Sequence, residues 1–330
     1  MSEDEAKTEH TLYGMRANEP LAFLASLGVL RALDRSERIE KPQLSWSREG
    51  SNRRPTVHIS ADMSQGRVAE ILDEELDDDI EDIRYTMSKD GEEPKDKLAN
   101  VGEEEFRGIS QHVPPGTREE EAIASYGTDA FFDDPEGAEF TAQEEGSSMT
   151  DLNLLDYSGP LRFLKTQRNL VEEVDKEKIY STLYEPWDYS DDGSGSRTMR
   201  WSPVPGRSSR GAYTGVDPTN ISGKPAEHGA NRLAIEGSRL FTVVPDSSTG
   251  AATCGFVGDE DGGVEALQYP LWSCPVSIDT ARTLITHPEV ATEEPDIEEI
   301  PEVDRVMRSE IEVYDRYRNL GRAIPVQSRT

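Results

Sequence analysis

Apolar positions are densest in one stretch, the run from Leu21 to Leu30 inside LAFLASLGVLRALDR. Apolar residues occupy nearly every face of its first three turns, which predicts a central helix buried all round. Pro20 suits a first-turn position and Asn18 is a plausible N-cap. Glu19 at the start and Arg31 and Arg35 near the end match the helix dipole. Gly28 inside the run predicts that another backbone packs close to it. Ten residues fall well short of the ~20 that a membrane helix needs, so this segment belongs in a protein core.

Elsewhere the pattern alternates between strand and helix periods. Thr11–Met15, Leu44–Ser47 and Thr56–Ser60 read as short strands, the last two forming a hairpin across the polar turn Arg48–Pro55. Arg67–Leu76 is amphipathic and helical in period. Residues 88–120, rich in Lys, Glu, Gly and Pro, read as a loop or a weak helix, and apolar spacing returns over Glu121–Phe132. The acidic, glycine-containing stretch that follows separates an N-terminal α+β region (1–132) from a C-terminal one (151–330), with 133–150 as linker or loop. In the second region Leu161–Val174, Ile179–Trp187, His228–Leu240 and a helix capped by Ser277 and ending at Ile285 have helical spacing. Arg197–Ser202, Gly211–Thr214, Thr253–Val257, Ala266–Trp272 and Ile311–Tyr317 read as strands. There is no internal repeat and no regular βαβ alternation. The expected fold class is therefore α+β: a mixed antiparallel sheet, a buried N-terminal helix and several packing helices.

Composition changes this picture in one respect. The 330 residues carry 66 Asp and Glu against 35 Lys and Arg, a net charge of −31, and only nine of the cations are Lys. Carboxylates hold water and cations at molar salt, where their mutual repulsion is screened over about 3 Å. An acidic, Lys-poor chain is the composition expected of a halophilic cytoplasmic protein. The competing reading is an acidic mimic of nucleic acid or a cation binder. The first ten residues are polar and acidic, which predicts no signal peptide. Cys254 and Cys274 are too few for a four-ligand zinc site, and an intracellular redox poise argues against a disulfide between them.

Recognisable catalytic chemistry is missing from the sequence. It contains no GxGxxG after a strand, no P-loop, no HExxH and no GxSxG. The five His residues are dispersed, and pairs such as Asp78 and Asp79 are expected by chance among so many carboxylates. No catalytic residue, metal or cofactor is expected.

The charge is unevenly spread: −22 over residues 1–159, +1 over 160–240 and −10 over 241–330. Arg162, Lys165 and Arg168 recur at spacing three on one predicted helix face, and Arg197, Arg200, Arg207 and Arg210 flank Trp201. Arginine beside an aromatic ring is equipment for phosphate and base contact. The tail from Arg305 to Thr330 carries six Arg against three acids. The alternative for all of these is surface pairing with carboxylates, which contributes little.

Several segments taken together resemble a known family. Tyr13-Gly14 followed by EPLAFLASLGVLRALDR, then LYEPWDYSDD, TMRWSPVPGRSSRGAYTGVDP, GANRLAIEGSRLFTVVP and YPLWSCPVSIDTARTL are similar in order to CRISPR-associated proteins of type I-G systems, formerly I-U. SGPLRFLKTQRNL occupies that family's aromatic and basic helix. The family is described either as an extension of the helicase–nuclease or as a large-subunit-like component. The resemblance implies a non-catalytic role in antiviral defence, bound to the guided complex or its nuclease. Its partners would be other CRISPR-associated proteins, with crRNA or target DNA as a possible further ligand and no membrane. The residues expected at a nucleic-acid contact are Arg162, Lys165, Arg168, Arg200, Trp201, Arg207, Arg210 and Arg232. For Arg232 a pairing with a carboxylate such as Asp217 is an equal expectation. Two other classes stay open: a metal-dependent hydrolase acting on nucleic acid, and a module that binds only protein.

Overall fold

The computed structural model describes residues 8–50, 52–60, 62–76, 96–98, 101, 103–128, 149–156, 162–193, 196–203, 225–246, 250–258, 264–314 and 317–329. The fold is α+β. Helix α1 (Pro20–Arg35) lies at its centre and is buried from Pro20 to Leu33. Its N-cap is Glu19 rather than Asn18, and no side chain caps it.

On one side of α1 is a three-stranded antiparallel sheet of β1 (Thr8–Thr11), β2 (Gln43–Glu49) and β3 (Asn52–Ile59), in the order β1-β3-β2. The hairpin turn is tighter than the polar run suggested. Glu49 already pairs with Asn52, and Gly50 takes a left-handed φ of 59° to make the reversal. Pro55 therefore lies in the central strand, where it has no N–H to give. The Leu12 N–H donates to the Pro55 carbonyl, and the Leu12 carbonyl accepts instead from Met15 N at 3.1 Å.

Helices α2 (Gln65–Glu75), α3 (Glu103–His112) and α4 (Arg118–Tyr126) follow. Ser64 caps α2 and Thr117 caps α4, each accepting a backbone N–H three residues on. The run expected to be loop or weak helix thus holds α3 and the start of α4. The helical segments predicted over Leu161–Val174 and Ile179–Trp187 are α5 (Phe163–Glu173) and α6 (Lys176–Tyr184), divided where Asp175 caps the second. Arg197–Ser202, expected to be a strand, is irregular, and Gly211–Thr214 lies outside the described residues. Short pairs β4 (Asp191–Asp192) with β5 (Pro225–Ala226), and β6 (Val243–Asp246) with β7 (Gly250–Thr253), flank helix α7 (His228–Ser238).

The second large sheet has the order β11-β10-β9-β8, with β12 also pairing β10. Its strands are β8 (Phe256–Gly258), β9 (Val264–Leu271), β10 (Arg305–Tyr314), β11 (Tyr317–Leu320) and β12 (Ile324–Ser328). The predicted strand Thr253–Val257 is interrupted because Gly255 adopts a φ of 82° in a turn between β7 and β8. Helix α8 (Ile278–Ile285) begins at Ser277, whose hydroxyl accepts from Thr280 N as the sequence predicts.

One hydrophobic core, with contributions from Leu12 to Ala323, joins the two regions. Phe23 of α1 stacks on Tyr269 of β9 with ring centroids 4.3 Å apart, and Trp46 and Trp272 pack around the same ring. The Trp46 N–H donates to the Trp272 carbonyl at 2.7 Å, which ties the first sheet to the end of β9. Both cysteines are free thiols. Among the described residues no helix is long and apolar enough to cross a membrane.

Candidate functional site

Among the described residues, the basic side chains singled out from sequence do not gather on one open face. On α5, Arg162 and Lys165 both approach Asp96, at 3.8 and 3.9 Å. Arg168 faces Glu172 at 3.7 Å, and Arg197 pairs with Glu173 at 2.8 Å. These are surface ion pairs of the kind that contribute little.

The next three residues, Trp201, Arg200 and Arg232, lie inside the protein. Trp201 has no exposed surface, and its Nε1 donates to the Leu152 carbonyl at 2.9 Å. Arg200 is 2% exposed, holds a left-handed φ of 65°, and its carbonyl accepts from Leu320 N. Arg232 is 3% exposed and donates to the Leu76 carbonyl. In this conformation none of the three is open to a base or a phosphate. Arg207, Arg210 and Asp217 lie outside the described residues.

The motif segments do converge, around polar groups that the sequence did not distinguish. Helices α1 and α7 cross at glycines: a Cβ on Gly28 would overlap the Leu233 carbonyl, and one on Gly237 would overlap the Leu24 carbonyl. Each helix starts at a glutamate N-cap with no side-chain capping bond, Glu19 for α1 and Glu227 for α7. Tyr189 bridges the two. Its hydroxyl donates to Glu19 Oε2 at 2.9 Å, and its backbone N–H donates to Glu227 Oε1 at 2.5 Å. To do so Tyr189 takes a φ of 55°, a conformation that few non-glycine residues adopt.

The rest of EPWDY and GANRLAIE locks the bridge in place. Trp187 Nε1 donates to the Thr182 carbonyl, against which Gly14 also packs. Asn231 donates to the Glu227 carbonyl and accepts from Met199 N at 2.8 Å, which anchors the Trp201 segment to α7. Asp191 accepts from Lys178 Nζ at 2.5 Å and from His228 N at 2.7 Å. At the far end of α7 the Glu236 carboxylate is shared by Arg31, Arg35 and Arg239.

Burial governs the electrostatics here. It raises the Glu19 carboxyl above its ordinary range, against the Tyr189 hydrogen bond and the guanidinia of Arg322, Arg16 and Arg54. Glu227 is pushed up to about 7, first by burial and then by Asp191 and Asp188, against the Tyr189 N–H and Lys178. A carboxyl at that value holds or releases a proton near neutrality, but with 7% exposure it is shielded from solutes.

This titration predicts how stability varies with pH. Between about pH 4.5, the ordinary value, and about 7 the folded chain retains a proton on Glu227 that the unfolded chain has released. Stability from this group is therefore full below the lower value and falls as pH rises through the window. Glu227→Gln keeps an oxygen for the Tyr189 N–H and removes the charge. The variant is expected to match wild type near pH 4.5 and to exceed it at pH 8, by on the order of 1–2 kcal/mol after allowance for partial solvation. Denaturant melts across pH 4.5–8 in molar KCl check this, and parallel curves for the two proteins would contradict it.

Two other arrangements bear on catalysis. Ser45 Oγ lies 2.8 Å from His58 Nε2, and His58 Nδ1 lies 3.5 Å from Glu9. The order is that of a nucleophile, a base and an orienting acid. Ser45 is only 3% exposed, however, and it sits in a cross-strand polar ladder with Ser47, Thr56 and Thr11. Among the described residues no group of three or more His, Cys, Asp or Glu is placed to hold a metal ion.

Sequence reasoning gave Glu19 only a helix-dipole role and missed Tyr189, Glu227 and Glu236. The available signals were an acid immediately ahead of each buried helix and the tyrosine of EPWDY. No protein-family model, no curated protein and no solved structure matches the chain.

Proposed function

We propose that the chain is a non-catalytic, protein-contacting component of a type I-G CRISPR–Cas effector, docking on the guided complex or on its helicase–nuclease. The observation behind this reading is where the family-like segments go. Tyr13-Gly14, the EPLAFLASLG helix, EPWDY, the Arg200-Trp201 step, GANRLAIE and YPLW all pack into one assembly around the Tyr189 bridge and the Gly28–Gly237 crossing. Residues so used specify a rigid body. The paired cations of α5 and the buried Trp201 favour a scaffold that meets proteins over one that reads a strand through residues 160–240.

The test is affinity capture with the tagged full chain from its host at molar KCl, with and without RNase and DNase. The expected result is that the helicase–nuclease or a guide-complex subunit is retained after nuclease treatment. Capture with no CRISPR-associated protein would overturn the proposal.

A further inference from the structure

Residues 185–192 form a strap across the start of α7, and strap and helix differ in burial. No residue of the strap is buried, whereas α7 is buried from His228 to Ser238. The strap is fastened at few points. Trp187 Nε1 reaches the Thr182 carbonyl at 2.8 Å, β4 pairs with β5 over a single short stretch, and Tyr189 meets Glu227 and Glu19. A piece with so little buried surface opens before the core does. Tyr189 also gains on release, because its left-handed φ of 55° can relax once its bonds let go.

The groups around Glu227 crowd one sign of charge. Asp188 of the strap and Asp191 of β4 both act on it, and α6 contributes Lys178 as a cation. Lys178 Nζ is already 2.5 Å from Asp191. Asp191 also takes the His228 N–H at 2.7 Å, so two acids share the first turn of α7. The His228 ring is turned to the Asp192 carbonyl, and Glu19 stands on the far side of the Tyr189 hydroxyl.

Ionisation of Glu227 strengthens the bond it accepts from Tyr189 N–H. It also places a charge of 7% exposure beside Asp191 and Asp188. Burial is the largest of these effects, so wetting the carboxyl relieves most of the cost. Lifting the strap wets it and leaves the crossing of α1 and α7 at Gly28 and Gly237 intact.

We propose that Glu227 is a proton-operated latch: protonated, it keeps the strap closed on α7, and ionised, it lets residues 185–192 come away while the core stays folded. The inference goes beyond the scaffold reading and does not depend on it. Between the ordinary carboxyl value and about 7 the closed chain keeps a proton that the open one has released. Opening therefore rises with pH through that window and levels off above it.

The test is amide hydrogen exchange of the full chain in molar KCl from pH 5.5 to 8, corrected for the intrinsic rate. Protection at Tyr189 and its neighbours is expected to fall about tenfold between pH 5.5 and 7, with little further loss by pH 8. The amides of α1 should stay at least about a hundredfold better protected, which separates local opening from unfolding. Glu227→Gln is expected to remove the pH dependence at the strap. Asp191→Asn keeps an oxygen for the His228 N–H and should move the levelling point to lower pH by about half a pH unit. That readout survives any change in absolute protection. Strap protection that is flat with pH, an equal fall in Glu227→Gln, α1 amides no better protected than the strap, or a levelling point unmoved by Asp191→Asn overturns the proposal.

Discussion

Gly28→Ala is expected to cost several kcal/mol of folding stability. The added methyl would overlap the Leu233 carbonyl and come within 3.1 Å of Gly237 N. The obstruction is backbone on both sides, so no side-chain rotation relieves it. Lifting α1 away from α7 would part Arg31 from Glu236, both deep in the core. Overpacking costs about 1–3 kcal/mol, and more when neighbours cannot yield, a large share of the roughly 5–15 kcal/mol that holds a folded domain. A melting temperature lowered by about 5–10 °C in molar KCl would report it. Gly108 provides the contrast. It lies within α3 with nothing within 4 Å of where a Cβ would stand. Gly108→Ala should stabilise by about 0.5–1 kcal/mol through helix propensity alone. Equal melting of Gly28→Ala and wild type would mean that the helices do not cross at these glycines.

The same contact marks the limit of what the sequence made legible. Apolar density identified α1 as the buried helix, and Gly28 signalled a close neighbour. The identity of that neighbour lies some two hundred residues away, in a glycine that looks ordinary within its own helix. Periodicity reports which face of an element is apolar, and it carries no information on which elements meet. Trp201 shows a different limit. An arginine beside an aromatic ring reads as an open binding face when the guanidinium is scored as polar. Burial depends on partners such as the Leu152 and Leu76 carbonyls, which come from remote segments. Pro55 misled in a simpler way. Proline marks turns, and here it stands in a central strand because Met15 supplies the donor that Leu12 would otherwise lack. Glu19 and Glu227 were two carboxylates among 66, and only their desolvation sets them apart.

Dilute buffer is expected to unfold or aggregate the chain, with the transition falling below about 0.5 M KCl, where the screening length exceeds ~4 Å. Two unit charges about 10 Å apart in water repel by about 0.4 kcal/mol before screening. At 0.1 M salt roughly a third of that survives, and at 1 M only a few per cent. The carboxylates outnumber the cations by 31, so many such pairs act at once and their sum reaches the size of the whole folding free energy. Salt also weakens exposed pairs such as Arg38–Glu74, but such pairs contribute little to stability. The inner cluster around Glu236 is 2–5% exposed at Glu236, Arg31 and Arg239 and is largely sheltered from that loss. The repulsion therefore dominates the salt response, and its sign is stabilising. Calorimetry between about 0.1 and 2 M KCl should show a melting temperature rising by more than about 10 °C, most of it gained below 1 M, where screening is still incomplete. A melting temperature constant across that range would remove the halophilic reading of the composition, and the carboxylates would then have to be explained by a cationic partner.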